Sequence, residues 1–147
     1  MHLHLDFEIP WLLKYEKRGI SPIFKIFWEI NGEYYPEEEW VDVGATILGW
    51  WLVALERIKD GGKHEELVFG EGPFRLKLVV DPKANRVSVG TEKRPSILEL
   101  PLDELVGEVI KAAKTTIAKF KEMGIAQSDQ ENLLMGIRRV QTAGRPR

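Results

Sequence analysis

The chain has 147 residues, 44% hydrophobic and 30% charged, with a formal net charge of -2 and no cysteine. That is one domain's worth of soluble globular composition with a core of its own. It excludes disulfide and thiol chemistry, a strongly basic nucleic-acid binder, and a membrane span, since no run approaches the ~18 apolar residues a span needs. The opening segment mixes charge with apolar residues from position 2, unlike the continuous apolar block of a secretory signal, so the expected location is cytoplasmic.

Leu3, Leu5, Phe7 and Ile9 alternate with His2, His4, Asp6 and Glu8, the period of a half-buried strand that Pro10 ends. The stretch from Trp11 to Ser21 reads as a linking segment or short helix closed at Gly19. A second strand, Ile23 to Ile30, puts Phe24, Ile26, Trp28 and Ile30 on one face, and Asn31-Gly32 is a turn. Residues 32–41 read as a loop. Asp42 is a candidate N-cap for a helix from Val43 to Asp60, stopped by Gly61-Gly62. On a helical wheel Ile47, Leu48, Trp51, Leu52, Leu55 and Ile58 share one arc. Val53 falls opposite and Trp50 at the margin, so this helix is apolar over more than half its circumference.

Short strands follow. Leu67 alternates to Phe69, Gly72-Pro73 turns, and Phe74, Leu76, Leu78 and Val80 alternate with Arg75 and Lys77. Asp81 to Asn85 is a hairpin loop before Val87 and Val89, and Ile97 to Leu100 suits one more strand. A helix starts at Pro101, with acids in its first turn, lysines towards its end, and Gly124 as its C′ residue. Ser128 to Glu131 has the form of a capping box for a last short helix carrying Leu133, Leu134, Ile137 and Val140. The last ~7 residues read as a loose tail. The element order predicts an α+β fold in a single domain, 1–147. Its antiparallel sheet has about five to six strands, one face covered by helices.

Chemistry is sparse. His2, His4 and Asp6 point the same way from one strand, the one metal-like cluster, but same-face neighbours sit ~6.6–7 Å apart and further ligands are lacking. The serines occupy no nucleophile elbow, and Gly70-Glu71-Gly72 precedes a strand rather than a helix, so it is no phosphate loop. Arg138, Arg139, Arg145 and Arg147 make a basic end without interleaved aromatics, which argues against nucleic acid. No metal and no cofactor is expected, and no catalytic residue is assigned.

What remains is the stretch from Glu29 to Asp42, six acids without a lysine or arginine, set with Tyr34, Tyr35 and Trp40. Aromatics bury much area with few rotors, and carboxylates among them steer a basic partner. The expected contacts are Glu33, Tyr34, Tyr35, Glu37, Glu38 and Glu39, with Trp50 a lesser candidate. A polar loop running into a helix, with Trp40 as a core anchor, is the competing reading.

Trp28, Asn31, Gly32, Pro36, Trp40 and Asp42 before a Trp-rich helix, then Phe69, Gly72, Pro73 and Phe74 before a hairpin, carry a resemblance over roughly residues 24 to 120. The chain resembles bacterial immunity proteins encoded beside polymorphic or contact-dependent growth-inhibition toxins. The resemblance implies an inhibitor, not an enzyme, that binds a cognate toxin domain, a nuclease for example, and acts as a monomer or weak homodimer. It supplies no catalytic residues. The alternatives are a metal-dependent or acid/base enzyme using His2, His4 and Asp6 or the glutamate cluster, and an oligomeric adaptor whose last helix packs between subunits.

Overall fold

A computed structural model describes residues 1–8 and 21–144. The linking segment expected after Pro10 and the final three residues of the expected tail lie outside them. Among the described residues the fold is α+β, with three helices and two antiparallel sheets of four strands each. The strands thus divide between two sheets where the pattern predicts one of about five to six.

The first sheet is built on β2 (Phe24–Ile30). β1 (His2–Asp6) pairs along one edge, Leu3 opposite Trp28 and Asp6 opposite Lys25. The other edge takes two short strands in succession. β3 (Glu33–Tyr35) covers Trp28 to Ile30, and β4 (Val41–Asp42) covers Phe24 and Lys25. The Ile26 amide donates to the Trp40 carbonyl at 2.8 Å. The chain therefore leaves the edge at Pro36, which has no N–H to give, and rejoins it at Trp40. The supposed loop 32–41 is a hairpin with an excursion. Asn31 and Gly32, with φ of 52° and 81°, make the tight reversal that favours exactly this residue pair.

The second sheet runs β5 (His64–Val68), β6 (Arg75–Asp81), β7 (Arg86–Gly90), β8 (Leu98–Pro101) in spatial order. Its inner face is Leu67, Leu76, Leu78, Val87, Val89 and Leu100, all buried. Three helices, α1 (Gly44–Lys59), α2 (Leu102–Met123) and α3 (Gln127–Thr142), complete the core. From β2 the face Phe24, Ile26, Trp28 and Ile30 enters it, from α1 the expected arc with Trp51, and from α2 Leu105, Val109 and Phe120. Each large apolar side chain buried this way contributes about 1.5–3 kcal/mol.

Helix ends differ from the sequence pattern. α1 begins at Gly44 with Val43 as N-cap, and Asp42 makes no side-chain cap bond to the helix. α3 begins at Gln127 behind Ala126, so Ser128 lies inside the first turn, and the Gln130 side chain donates from Nε2 to the Ile125 carbonyl at 2.7 Å. α2 does end at Gly124, with a left-handed φ of 68°. Leu133, Ile137 and Val140 of α3 are buried within the chain itself, where Gly136 lets α3 close on Leu52 of α1. Leu134, the fourth residue of the expected stripe, is 41% exposed. Nor does the tail loosen at once: the Gly144 amide donates to Asp60 Oδ1 at 3.0 Å.

Candidate functional site

The acidic stretch is organised from below by Asp42, which is fully buried. Its Oδ2 accepts from Trp40 Nε1 at 2.9 Å and from the amides of Gly70 and Glu71 at 3.1 and 3.2 Å. Its Oδ1 accepts from the Val43 amide at 2.7 Å. Four donors satisfy a carboxylate that would otherwise be costly to bury. The carboxylate thereby ties the end of β4 to the 69–74 turn. A Cβ on Gly70 would sit 2.6 Å from Asp42 Oδ1, which explains the glycine.

Around this hub the aromatics interlock. Trp40 meets Phe74 edge-on at 5.2 Å, and Phe69 meets Trp51 at 5.2 Å and Tyr35 at 5.9 Å. The Tyr35 hydroxyl accepts from the Arg75 amide at 2.7 Å and donates to the Arg75 carbonyl at 2.9 Å. Burial pushes its pKa above the ordinary tyrosine value, opposed more weakly by the Arg75 backbone bond. Tyr35, expected to be a partner contact, is a structural anchor whose polar end is fully engaged. Trp40 is likewise a core anchor. The residues carrying the family resemblance are largely this clamp.

Two of the expected acids are neutralised. Glu33 pairs with Arg94 at 2.8 Å. Glu39 pairs with Lys25, which also lies 3.8 Å from Asp6. The Glu39 hydrogen bond holds the Lys25 pKa above its usual value, against a lowering by desolvation, with Coulombic help from Glu39 and Asp6. Glu37 and Glu38 are exposed and meet no basic partner among the described residues. Tyr34 is 40% exposed, its ring edge-on to Phe27 at 5.6 Å and His4 at 6.0 Å. The stretch therefore presents Tyr34, Glu37 and Glu38 free, and Glu33 and Glu39 only by breaking ion pairs.

The His2 and His4 rings meet edge-on at 4.5 Å, but each bonds a different carboxylate. His2 Nδ1 meets Glu108 and His4 Nε2 meets Glu29, each at 2.9 Å. Asp6 Oδ1 accepts from the Glu8 amide. Among the described residues no group of three or more His, Asp or Glu side chains is arranged to hold a metal ion. No described helix is long and apolar enough to cross a membrane.

Trp50 stands apart from the acids. It is 48% exposed on α1, and between α1 and the β5–β6 pair opens a groove of about 780 Å³. Trp50, Val53 and Arg57 form one wall, while His64, Glu66 and Val79 form the other. A smaller groove of about 340 Å³ between α1 and α3 shares Trp50 and Val53 and adds Met135. Four of the six large apolar side chains exposed among the described residues, Trp50, Val53, Val79 and Met135, thus border this ridge. The sequence signal for it was the i,i+3 pair Trp50 and Val53 on the arc of α1 away from the core.

No protein family, no curated protein and no solved structure matches the chain.

Proposed function

We propose that the protein is a stoichiometric inhibitor of the immunity type, acting in the cytosol on a cognate bacterial toxin domain by covering its active or substrate-binding surface. The observation that supports this reading is the pair of unneutralised carboxylates, Glu37 and Glu38, held beside Tyr34 on an excursion anchored at both ends. Such a patch steers a cationic partner and fixes its register. A nuclease groove, built to take phosphate, is a partner of that kind. Glu33 and Glu39 contribute less, because a partner must first displace Arg94 or Lys25.

The test is co-expression with the candidate toxin domain encoded in the neighbouring gene, followed by binding kinetics. Reversal of Glu37, Glu38 and Glu39 to lysine is expected to slow association by about tenfold or more at low salt. Unchanged association would move the contact elsewhere on the molecule. Absence of any complex, with no rescue of growth, would remove the inhibitor reading itself.

A further inference from the structure

The second sheet has an open edge at β5, and the direction of its backbone groups follows from the ladder. The Val80 amide donates to the Lys63 carbonyl at 2.9 Å, and the Phe69 amide to the Phe74 carbonyl at 3.1 Å. Bonded and non-bonded pairs alternate along antiparallel strands, so Glu65 and Leu67 are the residues bonded to β6. His64, Glu66 and Val68 therefore turn their N–H and C=O groups away from the sheet. The Val68 carbonyl is taken by Trp51 Nε1 at 2.8 Å. Among the described residues no bond from a turn, loop or cap reaches the backbone of His64 or Glu66. The same residues line the groove whose other wall holds the exposed rings and methyls of Trp50 and Val53.

We propose that this edge pairs with the β5 edge of a second copy of the chain, antiparallel about a two-fold axis, and covers Trp50 and Val53 in doing so. The register is set by charge. Outward-facing residues pair only with outward-facing residues, and with the Val68 carbonyl held by Trp51 the pairing rests on His64 and Glu66, which leaves three two-fold registers. One sets Glu66 against Glu66 and another His64 against His64, each a like pair on one face. The third sets His64 against Glu66 twice, around Glu65 at the axis.

In that register an imidazole, which donates a hydrogen bond in either protonation state, lies beside a carboxylate. Each Glu66 then has Arg75 of its own β6 as ion-pair partner at 3.0 Å and the opposing His64 as its neighbour across the seam. The two Glu65 side chains nearest the axis do not meet as bare charges, because each lies 3.9 Å from its own Arg57. The two paired positions contribute four backbone hydrogen bonds, and two four-stranded sheets become one of eight strands.

Sedimentation velocity of the purified protein over a concentration series tests this. A dimer that forms with rising concentration is expected. Glu66→Pro removes an outward N–H that the β5–β6 ladder does not use, and is expected to give a folded monomer. Glu66→Lys sets lysine against His64 and is expected to weaken association at least tenfold, and adding His64→Glu to it restores a complementary pair and the dimer. Circular dichroism of each variant shows whether the fold is retained. A wild-type chain that remains monomeric throughout overturns the proposal. So does a dimer that survives Glu66→Lys unchanged, or a folded Glu66→Lys monomer that His64→Glu fails to rescue.

Discussion

Asp42→Asn removes one charge and almost no volume, so its cost isolates the hub under the acidic excursion. In the native chain Oδ2 takes three N–H donors and Oδ1 one. An asparagine serves the three with its carbonyl oxygen and then turns its NH2 towards the Val43 amide, donor against donor. Hydrogen bonds to a charged group contribute about 1.5–3 kcal/mol each and neutral ones about 0.5–1.5, so three weakened bonds cost about 3 kcal/mol. The orphaned Val43 amide adds about 1–3 kcal/mol. Relief from burying a charge offsets part of this. The expected net loss is about 3–4 kcal/mol, a large share of the roughly 5–15 kcal/mol that holds a domain folded. Urea unfolding followed by tryptophan fluorescence reads it, with Trp40 bonded to the altered group as a reporter. At a slope of about 1–3 kcal/mol per molar urea, the midpoint falls by roughly 2 M. A loss under about 1 kcal/mol would refute the assignment of Asp42 as the anchor of β4 and the 69–74 turn.

Gly44→Ala places a methyl inside the Phe24 ring at the first turn of α1, and a loss of about 3 kcal/mol or more in the same assay is expected, because neither β2 nor the helix start can give way. Trp28 and Trp51 are both fully buried and tilted against each other at 5.6 Å, but Trp28 Nε1 has no partner among the described residues while Trp51 Nε1 donates to Val68. Trp51→Phe is therefore expected to cost about 1–2 kcal/mol more than Trp28→Phe; equal losses would show that the Trp51 bond contributes nothing. The folded pKa of Tyr35 is raised, so the unfolded chain ionises first as pH climbs through 10.0. Stability from this hydroxyl is complete below that pH and is lost above it as pH rises through the folded pKa. Tyr35→Phe is expected to flatten that alkaline limb in thermal melts taken across the range, and an unchanged slope would contradict the burial argument.

Periodicity made much of this fold readable. The buried face of β2, the Asn31-Gly32 reversal, the β6–β7 hairpin and the stop at Gly124 all follow from local rules of backbone and burial. What stayed hidden depends on partners distant in the chain. Asp42 stands where an N-cap belongs, but two of its four donors are 28 and 29 residues away. Glu33 reads as an uncompensated charge until Arg94, 61 residues on, is folded against it. Tyr35 looks like an interface ring because nothing near it in sequence shows that the Arg75 backbone takes its hydroxyl. The division into two sheets was also invisible, since strand patterns report which face is buried and not which neighbour is paired.

The double occupancy of one β2 edge by β3 and β4 has a consequence for how this molecule can change over generations. Both ends of the Pro36–Glu39 detour are fastened by ladder bonds, so residues can be inserted or exchanged there without disturbing the register on either side. Doubling the length of such a detour costs only about 0.6 kcal/mol in closure entropy. The chain thus displays Glu37 and Glu38 on a segment whose length and sequence can vary while the scaffold stays as it is.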